Sequence, residues 1–356
     1  MGSLADHLSG LIVGTAVGDA IGLPREGLSR RRASRMFGGT PLGHRLLLRR
    51  GMVSDDTEHT CMSAQALLAS GGEPRAFARS MAWRLRWWLL ALPAGVGMAT
   101  AKACFKLWIG FSPGRSGVWS AGNGPAMRAA ILGAYAWDDA ELLRDLVSAS
   151  TRLTHVDPAA EHGALAIALA AAYAIRESAG GKIEAESYLQ FVSAPLAGTE
   201  MLRLIQEVVR QVSAGTPLEE FIVGMGWGRG VSGYVNQTVP ACLFRWLASP
   251  NNFRVAVEQV ITAGGDADST GAIVGALAGI SAGRDAIPQE WVAGLIEWPR
   301  TVAWMERLAA ALAMDRQSTV KSYRPVPLFW PGVLARNVLF LIVVLLHGLR
   351  RLLPPY

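Results

Sequence analysis

Apolar residues recur at α-helical spacing along most of the chain. Near its start, Leu4, Leu8 and Leu11 fall on one helical face, and Ser3 with Asp6 three positions later predicts a capped helix start. Strand-like alternation is scarce and no repeat is visible, so the pattern predicts an all-α fold. Further helical segments are predicted at 126–137, 139–150, 159–176, 201–212, 238–247, 253–263 and 269–282.

Glycine-rich segments separate these predicted helices. They lie at 14–22, 95–97, 110–124, 224–233 and 264–265. Glycine lets the backbone approach a ligand closely, and several of these segments adjoin polar or acidic residues. One interpretation is that they are loops around one shared pocket. The other is that each is an ordinary turn between helices.

The last forty residues have a different pattern. Residues 317–331 contain prolines without helical periodicity, and residues 338–346 are an uninterrupted apolar run. We therefore predict a main domain over 1–316, followed by a linker and a short apolar helix over 317–356. At ~1.5 Å per residue the run is shorter than a hydrocarbon core of ~30 Å, and Arg336 and Asn337 precede it. Docking on the main domain or on a second subunit is favoured over peripheral membrane contact through 338–351.

Composition narrows the class of protein. The chain has 356 residues, of which 51% are hydrophobic, and 34 Lys and Arg against 28 Asp and Glu give a net charge of +6. An excess of this size fits an anionic ligand or a solvated surface, and it is too scattered to indicate a nucleic-acid partner. The oligomeric state is not determined by these features.

The cysteines and the first residues indicate the compartment. Cys61, Cys104 and Cys242 are far apart among apolar neighbours, and they form neither a zinc motif nor a disulfide framework. Residues 1–7 lack the basic and apolar regions of a secretory signal. We therefore expect a cytoplasmic protein.

Two acidic clusters carry the strongest chemical signal. Residues 54–57 read Ser-Asp-Asp-Thr and residues 265–269 read Gly-Asp-Ala-Asp-Ser, each beside a predicted helix start. Their hard oxygen donors suit Mg²⁺ or Mn²⁺, and cations would relieve the repulsion between the carboxylates. The alternative is that both clusters only cap helices. Doubled acids with neighbouring hydroxyls at both helix starts favour the metal interpretation.

An ordered series of motifs resembles the ADP-ribosylglycohydrolases, which include the dinitrogenase reductase-activating glycohydrolases. The resemblance covers roughly residues 8–283, and its motifs occur in the order expected for the family. They are Gly-Thr-Ala-Val-Gly-Asp-Ala-Ile-Gly at 14–22, Glu26, Ser-Asp-Asp-Thr-Glu at 54–58, Gly-Val-Gly at 95–97 with Thr100, Ser-Ala-Gly-Asn-Gly-Pro-Ala-Met-Arg at 120–128, Leu-Thr-His at 153–155, the segments 233–235 and 238–241, and Gly-Gly-Asp-Ala-Asp-Ser-Thr-Gly at 264–271.

The resemblance implies a compact multi-helix orthogonal bundle that binds two Mg²⁺ or Mn²⁺ ions. It assigns the metal ligands to Ser54, Asp55, Asp56, Asp266, Asp268 and Ser269. It assigns substrate contacts to Ser120, Gly122, Asn123, Arg128 and His155. Serine stands at 54 and 269 where branches of the family carry threonine, and since the hydroxyl is kept we expect metal binding to persist.

The same resemblance implies hydrolysis of the C1″ bond of ADP-ribose, with ADP-ribosyl-arginine in a protein as the expected substrate. Serine, a small molecule and nucleic acid stay open as other acceptors. Asp55 or Asp268 would orient the water and Glu26 would assist proton transfer or gate the pocket. His155, Asn123 and Arg128 each have a structural alternative, as a packed histidine, a turn residue and an ion-pair partner. Two other functions stay open: a non-catalytic relative that binds ADP-ribose, and a metal-dependent nucleotide phosphohydrolase.

Overall fold

The computed structural model describes residues 3–178 and 181–354, and within them the regular structure is helical. The outer limits of the two predicted ranges, residues 1 and 356, lie outside this part of the chain. The eighteen α-helices confirm the all-α fold. They are α1 (Leu4–Gly22), α2 (Arg30–Phe37), α3 (Asp55–Ser70), α4 (Pro74–Leu90), α5 (Met98–Trp108), α6 (Gly124–Met127), α7 (Ala130–Tyr135), α8 (Ala140–Arg152), α9 (Pro158–Glu177), α10 (Ala185–Ser193), α11 (Glu200–Ser213), α12 (Leu218–Gly224), α13 (Val235–Ala248), α14 (Phe253–Thr262), α15 (Ala267–Ala282), α16 (Gln289–Ala293), α17 (Val302–Gln317) and α18 (Trp330–Arg350).

Local sequence signals explain several helix ends. The Ser3 side chain accepts a hydrogen bond from the Asp6 amide, as the capping pattern predicted. Asp139 caps α8 in the same way, and Pro158 occupies the first position of α9, where its missing amide costs no hydrogen bond. The predicted helix at 126–137 is wrong in one respect, because it is divided into the short helices α6 and α7.

The centre of the fold is the antiparallel pair α1 and α15. Glycines recur every four residues on both helices and face one another across the contact. A Cβ built on Gly14 would lie 3.0 Å from the carbonyl carbon of Gly275, and one on Gly22 would lie 2.6 Å from that of Ala267. The two backbones therefore touch directly, and the end of α1 lies against the start of α15.

This packing corrects the interpretation of 14–22 as a ligand-facing loop. The segment is buried inside α1. Glycine is needed in it because the backbone of α15 occupies the space that a side chain would fill. Its contribution to the pocket is indirect. Because α1 ends where α15 begins, the short turn Leu23–Arg25 and the following Glu26 lie beside the second acidic cluster.

The last helix is longer than its apolar run predicted. α18 has 21 residues, and it continues through Arg336 and Asn337 because the protein body supplies partners for both. The Arg336 guanidinium donates to Glu297 and to the Val53 carbonyl, and Asn337 donates to the Ala91 carbonyl at 2.9 Å. The segment before it also contacts the body, since the Gln65 side chain forms two hydrogen bonds with the backbone of Val326.

Two helices among the described residues are long and apolar enough to cross a membrane by length and composition. The apolar window of α9 is 78% buried, so α9 is a core helix of the protein. That of α18 is only 33% buried.

Candidate active site

The first acidic cluster forms the N-terminal turn of α3. Ser54 is the N-cap residue, and its hydroxyl accepts from the Asp56 amide. Asp19, which the sequence analysis did not assign to the site, binds this turn. The buried Asp19 carboxylate of α1 accepts hydrogen bonds from the amide of Ser54 at 2.9 Å and from the amide and hydroxyl of Thr57. Its signal in the sequence is an acid within an otherwise apolar helix.

Burial dominates the electrostatics of Asp19. Desolvation raises the pKa of Asp19 to about 7, while the hydrogen bonds from Thr57 and Ser54 lower it. The carboxylate is thus kept in a dry position where its acceptor oxygens meet backbone donors. We infer that Asp19 is a positioning residue that orients the first turn of α3.

The second acidic cluster forms the start of α15. Asp266 occupies the N-cap position, yet its side chain makes no capping hydrogen bond. The carboxylate accepts instead from the Asn123 side chain at 2.7 Å, across the pocket. Capping alone therefore does not account for Asp266.

Backbone pairing places Glu26 beside this cluster. Gly265 has a φ of 87°, which glycine adopts readily, and its carbonyl accepts from the Gly27 amide at 2.7 Å. The next residue in the chain, Asp266, donates its amide hydrogen to the Val231 carbonyl. Burial, and next the charge of Asp266, raises the pKa of Glu26.

The two clusters meet at Asp56. Its Oδ2 accepts from the Ser54 hydroxyl at 3.1 Å and from the Ser269 hydroxyl at 3.3 Å, which joins residues 213 positions apart. Its Oδ1 is buried without a hydrogen-bond partner. Burial, reinforced by the neighbouring carboxylates, raises the pKa values of Asp55, Asp56 and Asp268 well above their usual range.

The donor set fits hard cations. The candidate ligands are carboxylate and hydroxyl oxygens, and the unpartnered Oδ1 of Asp56 is a buried acceptor that a cation would satisfy. In the described residues, however, no three His, Cys, Asp or Glu side chains are arranged to hold a metal ion. The chemistry of the donors thus fits divalent cations, although these side chains do not form a ready-made coordination shell.

The acidic residues open into a cavity of about 310 Å³. Ten of the predicted site residues line this cavity together with Gly95, Gly97, Thr100 and Gly233. The ten are Glu26, Asp55, Asp56, Asp266, Asp268, Ser269, Ser120, Gly122, Asn123 and His155. Ser54 lies behind the wall, bonded to Asp56.

Arg128, a predicted substrate contact, does not line the cavity either. Its side chain is fully buried, and its guanidinium donates to Ser150, to Thr154 and to the Gly124 carbonyl. These contacts favour the structural alternative for Arg128, and its contact with a substrate stays a prediction. The guanidinium joins Gly124, which lines the pocket, to Ser150 and Thr154, which precede the lining residue His155 in the chain.

Arg128 also contacts the partner of His155. The Thr154 hydroxyl accepts from Arg128 at 2.7 Å and lies 2.8 Å from His155 Nδ1, and we assign the hydroxyl proton to Nδ1. The imidazole then carries its own proton on Nε2, next to Gly122 and Gly124. Burial, and next the charge of Arg128, lowers the pKa of His155 to about 3. His155 is therefore a neutral donor that faces the cavity.

Comparison with known proteins identifies close relatives in sequence and in structure. A family model described as ADP-ribosylglycohydrolase matches residues 2–321. The chain is 30% identical to an uncharacterized protein of Archaeoglobus fulgidus over 85% of this chain and 94% of that one. It is 26% identical to the ADP-ribosyl-[dinitrogen reductase] glycohydrolase of Rhodospirillum rubrum over 82% and 91% of the two chains.

A more distant relative and a solved structure agree with these matches. The chain is 26% identical to ADP-ribosylhydrolase ARH3 of Gallus gallus over 55% of this chain and 61% of that protein. A structure described as an ADP-ribosylglycohydrolase-related protein complex superposes with a TM-score of 0.65 at 28% identity. That superposition covers 89% of this chain and 100% of the other.

Proposed function

The chain belongs to the ADP-ribosylglycohydrolase family, and from that premise we propose that its acidic cavity releases ADP-ribose from arginine side chains of modified proteins. Hydrolysis of an ADP-ribosyl bond is the activity of the family and of its named relatives, so the chain is an enzyme of this class. One observation carries the assignment to this cavity. The carboxylate of Asp56 joins the two acidic clusters through the hydroxyls of Ser54 and Ser269.

Two divalent cations, Mg²⁺ or Mn²⁺, are part of this proposal. The ligands would come from Ser54, Asp55, Asp56, Asp266, Asp268 and Ser269. Once bound, the cations would neutralise the clustered carboxylates and polarise the ribose hydroxyls and a water molecule. The raised pKa values of Asp55, Asp56 and Asp268 support this, since neighbouring carboxylates resist ionisation until positive charge is added.

The side chains around these acids would bind the ribose and handle the proton. His155 donates from Nε2, and Asn123 is held in place by its bond to Asp266. In the reaction the water oxygen bonds to C1″ while the bond from C1″ to the guanidinium nitrogen breaks. Asp55 or Asp268 accepts the proton of the water, and Glu26, whose pKa is raised, returns a proton to the leaving nitrogen.

Arginine is the acceptor in this proposal because the ordered motifs resemble those of the dinitrogenase reductase-activating glycohydrolases, and that resemblance implies an arginine-modified substrate. The relative from Rhodospirillum rubrum is named for a protein substrate, which agrees with a modified protein as the target. We place the reaction in the cytoplasm, as the cysteine pattern predicts.

Release of ADP-ribose from an arginine-modified protein, followed by mass spectrometry, tests the proposal. Asp56→Asn and Asp268→Asn should each lower kcat/KM by ~10²–10⁴. Asp145→Asn is the matched control, because this exposed carboxylate on α8 is outside the cavity and should leave kcat/KM unchanged. Chelation should remove activity, and Mg²⁺ or Mn²⁺ should restore it.

Four results would contradict parts of the proposal. Full activity of Asp56→Asn would refute the role of the acidic clusters. Activity that persists after chelation would refute the metals. Release of ADP-ribose from serine or nucleic acid but not from arginine would refute the acceptor, and release of phosphate instead of ADP-ribose would identify a phosphohydrolase.

A further inference from the structure

Helix α18 has polar residues on its buried side and large apolar residues on its exposed side. Its polar residues Arg336 and Asn337 face the protein, where both are buried. Its outer side carries large apolar side chains that are between 44% and 61% exposed. They are Leu334, Val338, Leu339, Ile342, Leu345, Leu346 and Leu349. A stripe of leucine, valine and isoleucine along ~20 Å of helix is unsuited to water, so the outer side is suited to an apolar medium.

The helix is fastened to the protein at both ends. Arg336 and Asn337 bind Glu297, Val53 and Ala91 near its start. Near its end, His347 Nε2 lies 3.1 Å from the Pro24 carbonyl, and the Arg351 guanidinium donates to the Glu26 carbonyl at 2.8 Å. A helix held in this way lies along the surface of the protein, and its outer face is fixed in position.

A second exposed element extends this face. The tight turn Leu47–Arg50 is closed by two backbone hydrogen bonds, and Leu48 at its tip is 91% exposed. Leu46 and Leu47 pack in the same cluster as Phe340 and Val343 of α18, so the turn lies beside the helix. The exposed Leu90 and Leu92 flank Ala91, whose carbonyl binds Asn337.

The charge around this apolar face is positive. Arg45, Arg49 and Arg50 are exposed on and around the turn, and Arg350 is exposed at the end of the helix. Neither the segment 27–54 nor the segment 330–354 contains an aspartate or a glutamate. At the other end of the helix, Trp298, Phe329 and Trp330 are about half exposed, and aromatic rings of this kind favour the boundary between headgroups and hydrocarbon.

We propose that α18 and the Leu48 turn form a membrane-docking surface that lies in one leaflet of an anionic bilayer. The apolar side chains would enter the acyl boundary, and the arginines would bind lipid phosphates. A second copy fits this face poorly, because two such faces brought together would oppose their arginines. The family match ends at residue 321, and α18 lies after the matched residues.

Flotation of the full chain with vesicles tests this proposal. We expect at least ~10-fold more bound protein on 70:30 phosphatidylcholine:phosphatidylglycerol vesicles than on phosphatidylcholine alone. Leu345→Asp with Leu349→Asp should reduce binding at least ~10-fold, and Arg49→Glu with Arg50→Glu at least ~5-fold. Val223→Asp, an equivalent change on an exposed apolar residue of α12, is the matched control and should bind like the unaltered chain.

Three further measurements decide between this surface and other occupants of the face. Release of ADP-ribose by Leu345→Asp/Leu349→Asp in solution should be unchanged, which shows that the variant is folded. A dimer by light scattering that the same variant disperses, without vesicle binding, would assign the face to a second copy and overturn the proposal. Protein that stays with vesicles after washing with alkaline carbonate would span the bilayer, which would overturn docking in one leaflet. Absence of vesicle binding by the unaltered chain would also overturn the proposal.

Discussion

Replacing Gly18 by alanine should destabilise the protein although alanine is the better helix former. A Cβ at this position would lie 2.5 Å from the carbonyl carbon of Gly271 and closer still to its oxygen. Ordinary contacts begin near 3.4 Å, and the obstacle is backbone that cannot rotate away. Helices α1 and α15 would therefore have to separate by about 1 Å. We expect this to cost about 3 kcal/mol, the upper end of the range for inserting an extra group into a well-packed core.

The helix propensity of alanine offsets only ~0.5–1 kcal/mol of this cost, so the net loss should be about 2 kcal/mol. The free energy of unfolding is measured by urea denaturation followed by circular dichroism. The separation would also move Asp19 from the first turn of α3, so kcat for release of ADP-ribose should fall in the fraction that remains folded.

Gly348→Ala is the matched control for this substitution. Gly348 also lies inside a helix, but nothing is within 4 Å of the position that its Cβ would take. This variant should be as stable as the unaltered chain or more stable by ~0.5–1 kcal/mol. If Gly18→Ala proves as stable as Gly348→Ala, the direct contact between the α1 and α15 backbones is not what the packing requires.

Four further substitutions test other parts of the structure. Asp19→Asn leaves at least one buried amide of α3 without its acceptor and should lower the free energy of unfolding by about 1–3 kcal/mol; an unchanged urea midpoint would contradict its positioning role. Thr154→Val removes the partner of His155 Nδ1 and should alter the ¹⁵N chemical shifts of the imidazole and lower kcat, whereas Thr154→Ser should preserve both. Arg336→Met leaves Glu297 buried and unpaired at a cost of about 3–5 kcal/mol, and adding Glu297→Gln should recover most of it; no recovery would mean that the ion pair is not the cause. Because the pKa of His155 is lowered to about 3, protons bind the unfolded chain more strongly between pH 6.5 and 3, so stability falls as the pH falls, and His155→Asn should lose less stability over that range than the unaltered chain.

The helices were predictable from sequence because their signals are local. The Ser3 cap, the Asp139 cap and Pro158 each act within one turn, and the structure has a helix start at each. The acidic clusters were recognisable for a similar reason, since adjacent carboxylates and hydroxyls identify oxygen donors wherever the chain places them. The order of the motifs then indicated the family, which the family match confirms.

Three features required the tertiary structure, because each depends on a neighbour remote in sequence. The glycines of 14–22 are typical of a loop until α15 is packed against them. Arg128 has the residue type of a phosphate ligand, but Ser150 and Thr154 occupy its guanidinium. The charge of Arg336 would end an apolar helix if Glu297 were not beside it.

The sequence by itself therefore determined which residues can form helices and which oxygens are available to bind a cation. Only the tertiary structure decided which of them share a site. Asp19, Asp56 and Ser269 come together because α1 and α15 pack with their backbones in contact, so that the end of one helix meets the start of the other. Helical periodicity extends over a few residues, whereas this contact joins positions more than 200 residues apart, and no local pattern encodes which two surfaces will meet.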